Sequence, residues 1–166
     1  MKIYFKGKAW RLVSKRQRLP NGRMTLVEVI EHPGAVVIVP FIKKETIILL
    51  RQFRPTIQRY LYELPAGTID PGESPLACAK REVIEETGFR ARKMTKVNFI
   101  YPVPGYSTEV ITIFKAQDLI KDSALKDPDE IIRTEMVTQN QIRRLFRSGK
   151  IVDAKTICAL AFIGWI

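Results

Sequence analysis

The densest chemistry in this 166-residue chain is three glutamates in five positions: Glu82, Glu85 and Glu86, within Arg81-Glu82-Val83-Ile84-Glu85-Glu86-Thr87-Gly88. On a helix they stand at i, i+3 and i+4 and share one side. Like charges at that spacing repel and destabilise a helix. A divalent cation held among the carboxylates removes the repulsion, and clustered hard oxygens suit Mg²⁺ or Mn²⁺. The bland alternative is a solvated acidic face, partly neutralised by Lys80 and Arg81.

Local signals define the element that carries them. Gly67 to Gly72 contains Pro71-Gly72 and reads as a loop. Ser74-Pro75 then starts a helix, with Ser74 as N-cap and Pro75 at its first position. Gly88 ends it. Leu76, Ala79 and Val83, with Ala77 and Cys78, form an apolar face expected to lie opposite the glutamates.

The spacing around this helix is specific. Gly67 is followed after five residues by Glu73, and after seven more by Arg81-Glu82, Val83, Glu85-Glu86, Gly88 and the apolar Phe89. Seven fixed positions agree by chance in about 10⁻⁸ of trials at typical usage. The segment resembles the Nudix box, without departure over its 23 residues. The resemblance implies a Nudix α/β/α sandwich with a mixed sheet, and a metal-dependent hydrolase that cuts a nucleoside diphosphate linked to another group. It also implies roles. Glu82 and Glu86 bind metal most directly, and Glu85 completes the metal shell or holds a metal-bound water. The carbonyl of Ala66 is a further ligand. Arg81 orients the glutamates, Glu73 receives a bond from Arg81, and Gly67 and Gly88 are structural.

Three further segments look like the ADP-ribose pyrophosphatase subfamily. Arg51-Gln52-Phe53-Arg54-Pro55 is similar to its QFR segment, which favours Arg54 over Arg51 as a substrate contact; otherwise both are surface charges at a strand end. Glu63-Leu64-Pro65-Ala66-Gly67 is similar too; Glu63 is either near substrate or a half-buried strand residue with a basic partner. Pro104, sixteen positions after Gly88, resembles the subclass marker, and Glu109 matches a substrate contact. An acidic segment near Asp127-Pro128-Asp129-Glu130 matches with one departure, since Pro128 stands where an earlier acid is expected. The general base is therefore Glu130 or a box glutamate. The implied reaction is hydrolysis of ADP-ribose to AMP and ribose 5-phosphate. The alternatives are another substrate (GDP-mannose, NADH or a dinucleotide) or a non-catalytic nucleotide- or RNA-binding module.

The remaining chain supplies the scaffold. Residues 9–32 read as a hairpin turning at Pro20-Asn21-Gly22. By resemblance, residues 1–33 form an N-terminal β extension that helps make a homodimer, and 34–166 form the hydrolase domain. Strands are expected at 35–41, 46–54, 91–101, 110–116 and 131–137, with helices from Thr138 and over 153–166, and Tyr60 to Ala66 leads directly into the box. Residues 117–129 read as a loop. No chemistry is assigned to Lys155-Thr156. Alternating strands and helices support a mixed α/β domain.

Hydrophobic content of 46% and charged content of 27% suit a soluble globular protein. No apolar run is long enough to span a membrane. The start, MKIYFKGKAW, lacks a signal-peptide core, so a cytoplasmic protein is expected. The net charge of +11 is spread along the chain, which favours attraction of small polyanions over nucleic-acid binding. Cys78 and Cys158 form no metal-ligand pattern and read as reduced. His32 reads as a strand-end residue.

Overall fold

The computed structural model describes residues 1–123 and 132–166. The first three strands, β1 (Lys2–Lys6), β2 (Arg11–Arg18) and β3 (Met24–Glu31), make a sheet of their own, antiparallel in the order β1-β2-β3. The β2–β3 turn is the one foreseen. Gly22 sits at φ +82°, where a side chain is strained, and its N–H donates to the Leu19 carbonyl at 2.9 Å. β1 was not foreseen. All five of its residues are exposed, so it carries no burial pattern to read.

A larger mixed sheet follows. Its strands are β4 (Ala35–Lys43), β5 (Thr46–Arg54), β6 (Arg59–Glu63), β7 (Ala66–Thr68), β8 (Phe89–Ile100), β9 (Ile111–Lys121) and β10 (Ile132–Thr138). The order is β10-β5-β4-β9-β8, with β6 on β5 and β7 on β4. β4 and β9 run parallel at the centre, and the other pairs are antiparallel. Two strand readings need correction. β7 (Ala66–Thr68) overlaps the start of the expected Gly67–Gly72 loop, and β9 extends to Lys121, through residues expected to be a loop. The long β8 supplies hydrogen-bond partners for that polar extension, pairing Phe89 with Lys121.

Three helices cover the sheet: α1 (Pro75–Thr87), α2 (Gln139–Arg147) and α3 (Ala154–Phe162). Side chains alternate across a strand, and β4 divides its apolar residues accordingly. Val36 and Ile38 pack with Cys78, Ala79 and Val83 of α1, together with Phe114 and Ala116. Val37 and Val39 pack on the other side with Ile142 of α2 and Ala159 and Leu160 of α3, together with Leu64, Ile151 and Trp165. The result is the expected α/β/α sandwich. α2 opens with a capping box between Thr138 and Gln141. Among the described residues no helix is long and apolar enough to cross a membrane.

The N-terminal sheet is tied to one loop of the larger unit. The Ile30 N–H donates to the Tyr106 carbonyl at 2.8 Å, and the Thr108 N–H donates to the Ile30 carbonyl at 3.0 Å. The His32 N–H donates to Thr108 Oγ1. These bonds anchor the segment that leads to Glu109.

Candidate active site

Helix α1 starts and stops as its sequence dictates. Ser74 Oγ accepts the Ala77 N–H, Pro75 occupies the first turn, and Gly88 closes the helix at φ +74°, donating to the Ile84 carbonyl. Its packing face needs correction. Glu82 and Glu86 are buried beside Ala79 and Val83, whereas Leu76 is 42% exposed. The glutamates therefore point under the sheet edge, and the strand they meet is β7.

That meeting explains two residues of the motif. A Cβ on Gly67 would lie 1.8 Å from Glu82 Oε1. The glycine is required by close approach, because only a bare Cα leaves room for the carboxylate. The neighbouring Ala66 N–H donates to Glu86 Oε2 at 2.8 Å, which fixes the second carboxylate.

Arg81 gathers the acids. Its Nη1 donates to Glu82 Oε1 at 2.7 Å and to Glu85 Oε2 at 3.0 Å. Its Nε and Nη2 donate to the two oxygens of Glu73 at 3.1 and 3.0 Å. Glu73 also caps the preceding turn, accepting the Asp70 N–H. These bonds, Glu73 foremost, raise the Arg81 pKa, and Arg81 in turn holds the Glu73 carboxyl below its usual range. Cys78 lies beneath, with its thiol pushed up to about 12 by burial and then by the charges of Glu82 and Glu73.

A cleft of about 320 Å³ opens beside this helix. Glu82, Ala66, Gly67 and Thr68 line it together with Arg54, Glu109 and Lys155. It lies at the end of the central parallel pair, where Ala35 faces Ile111. Among the expected residues, Glu82, Ala66, Gly67, Arg54 and Glu109 meet there. Glu85 is partly exposed beside Arg81, and Glu86 is turned to the Ala66 backbone. Arg51 does not line this cleft: its guanidinium lies over the Tyr60 ring, at a separate depression with Arg59 and Lys150. Pro104 is exposed in its turn and does not line the cleft either. Glu130 lies outside the described residues.

Arg54 is not a lone cation. Its Nε and Nη2 donate to Glu63 at 2.8 and 2.6 Å. Glu63 is fully buried and also accepts from Lys155. Burial opposes the charge on Glu63, but the bonds and charges of Arg54 and Lys155 outweigh it and leave the pKa below the ordinary 4.5. Glu63 is thus a strand residue with basic partners, as one reading had it, but fully rather than half buried, and both partners line the cleft. Lys155 was missed by the sequence reading. The signal available was a lysine in the first turn of a helix, where the macrodipole disfavours a cation.

The donors suit a hard divalent cation in kind. One guanidinium serves four carboxylates, bonding Glu73, Glu82 and Glu85 and lying 3.7 Å from Asp70, so negative charge around Arg81 is in excess, and these side-chain donors are carboxylate oxygens. In this arrangement no three such side chains among the described residues converge as a ready ligand set.

A three-layered α/β unit that presents a glutamate helix to a cleft shared by carboxylates and cations, through a loop–helix–loop, defines the class. The chain belongs to the NUDIX domain family, whose model matches residues 31–160. An ADP-ribose pyrophosphatase of Bacillus subtilis (strain 168) is 35% identical over 161 residues, covering 96% of this chain and 87% of the relative. A methanol dehydrogenase activator of Bacillus methanolicus is 30% identical with the same coverage. The solved crystal structure of an ADP compounds hydrolase matches with a TM-score of 0.81 and 26% identity, over 98% of this chain and 88% of that one.

Proposed function

We propose that this chain hydrolyses ADP-ribose to AMP and ribose 5-phosphate. The oxygen of water bonds to one phosphorus, the bridging P–O bond breaks, and its electron pair leaves with the other phosphate. The observation that supports this most directly is the shared cleft, where the box carboxylate Glu82 meets the cations Arg54 and Lys155. A diphosphate needs both: cations to bind it and acids to activate what attacks it.

Glu82 and Glu86 are the residues that would hold Mg²⁺ or Mn²⁺, with Glu85 and the Ala66 carbonyl as further ligands. When bound, such an ion offsets phosphate charge and makes coordinated water more acidic. The chain's own contribution is positioning. Arg81 fixes Glu82 and Glu85, and Gly67 and the Ala66 N–H seat Glu82 and Glu86. Glu130 or a box glutamate takes the proton from the attacking water. Arg54 and Glu109 orient the substrate, and Pro104 shapes the loop before Glu109. Residues 1–33 act as a dimerisation unit and 34–166 as the hydrolase domain. The exposed Tyr4, Phe5, Trp10 and Leu26 of the N-terminal sheet support that division. The protein is assigned to the cytoplasm.

The test is a chromatographic product assay with ADP-ribose, with Mg²⁺ and with excess chelator, beside GDP-mannose, NADH and diadenosine polyphosphates. Mg²⁺-dependent release of AMP from ADP-ribose, at least tenfold faster than from the others, is the expected result. Faster turnover of another compound keeps the reaction and replaces the substrate. No turnover by folded, Mg²⁺-supplied protein rejects the enzyme reading.

A further inference from the structure

Asp153 caps α3, and Lys155 is the second residue of that helix. A lysine there opposes the helix dipole. Its side chain is also only 17% exposed. Glu63 and Asp153 offset part of that cost, and Arg54 and Lys155 together balance their two negative charges. Both oxygens of Glu63 already accept from Arg54. Asp153 Oδ2 already accepts the Thr156 N–H at 3.0 Å and the Thr156 hydroxyl at 2.6 Å.

The same two carboxylates aim the ammonium. Lys155 Nζ donates to Glu63 Oε2 and to Asp153 Oδ1, the latter at 2.9 Å. An ammonium has three N–H donors, and the third meets no protein acceptor among the described residues. Lys155 lines the same cleft as Arg54, Glu82 and Glu109. Arg54 Nη1 likewise has no protein acceptor among the described residues. Two pre-aimed cationic donors on one cleft match an anion with several acceptor oxygens.

We infer that Lys155 is a substrate-binding residue whose third N–H bonds the diphosphate directly beside Arg54; the inference rests on reading this cleft as a diphosphate site. The carboxylates Glu63 and Asp153 hold the ammonium in place before substrate arrives, which reduces the ordering lost on binding.

The experiment compares wild type, Lys155→Met and Lys155→Arg, all with Mg²⁺. Calorimetry measures affinity for a non-hydrolysable methylene analogue of ADP-ribose, and competition measures affinity for uncharged adenosine. A charge-assisted hydrogen bond predicts a loss of about ten- to a hundredfold for the analogue in Lys155→Met. Adenosine affinity should stay within twofold, and Lys155→Arg should recover part of the loss. Analogue affinity within twofold of wild type overturns the inference. Equal losses for analogue and adenosine also overturn it, since a merely structural lysine would act on both. If Lys155→Met fails to fold, Lys155→Gln, which removes the charge but keeps a polar donor for Glu63 and leaves the Arg54–Glu63 pair intact, is read by the same criteria. If wild type turns over a different nucleoside diphosphate, the substrate reading fails. Lys155 is then judged separately, by the ratio of variant to wild-type KM for that compound.

Discussion

Gly67→Ala separates placement of a carboxylate from its presence. The backbone at Gly67 lies outside the left-handed region, so alanine adds no backbone strain. What it adds is a methyl 1.8 Å from Glu82 Oε1, 2.0 Å from its Cδ and 2.7 Å from its Cγ. Ordinary contact begins at 3.4 Å, so Oε1 has to retreat by about 1.6 Å and its 2.7 Å bond to Arg81 breaks. The obstacle is a side chain rather than backbone, so the domain still folds, with an overpacking penalty of about 1–3 kcal/mol. A displacement of about 1 Å at a reacting centre costs on the order of 10²-fold in rate. The expected kcat is therefore reduced at least about a hundredfold, or about 2.7 kcal/mol of barrier, with KM changed less than about threefold. Steady-state product assays with ADP-ribose and Mg²⁺ measure both, and circular dichroism measures the melting temperature. Gly105→Ala is the stability control: its new methyl meets nothing within 4 Å, and its effect should stay within about 0.5 kcal/mol. A Gly67→Ala protein with kcat within threefold of wild type would refute the reasoning, because Glu82 would then work from a different position.

Glu63 predicts a pH dependence of stability. Its folded pKa is depressed below 4.5, so its contribution is present above that value and is lost as pH falls through the lower folded value. Acid melts should show wild type losing stability below about pH 4.5, with the loss smaller in Glu63→Gln. Cys78 predicts silence toward alkylation. With its thiol near pKa 12 and the side chain buried, iodoacetamide at pH 8 should label it only after unfolding, as peptide mass spectrometry would show. Labelling of native Cys78 within minutes would contradict that environment. The N-terminal sheet predicts association. Leu26→Glu, at a position 63% exposed in one chain, should shift light-scattering mass from dimer to monomer while the melting temperature changes little; a wild-type monomer would remove the basis for this assignment.

Local elements were legible in the sequence, and long-range ones were less so. The ends of α1 were readable because Ser74, Pro75 and Gly88 act on their own backbone. So was the capped start of α2 at Thr138. The Arg81–Glu73 bond followed from the motif and is present at 3.0 Å. The burial of Glu82 and Glu86 was not legible, because it depends on β7 passing over the helix, a contact between separate segments. Lys155 escaped for the same reason: its partner Glu63 is 92 positions away. The C-terminal part of β9 looked like a loop because its polar residues are held in a strand by pairing with β8, a contact between separate segments.

The central parallel pair has a consequence for how the protein is made. Ala35 and Ile111 meet across β4 and β9 at the mouth of the cleft, and Lys155 closes its wall. Loop-closure entropy delays contacts so distant in sequence. A nascent chain emerging from the ribosome can form the N-terminal hairpin early, from neighbouring residues alone. It gains the cation beside Arg54 only after the start of α3 has emerged. The cleft therefore cannot be completed until every segment from Ala35 to Lys155 has been made, however early the N-terminal hairpin folds.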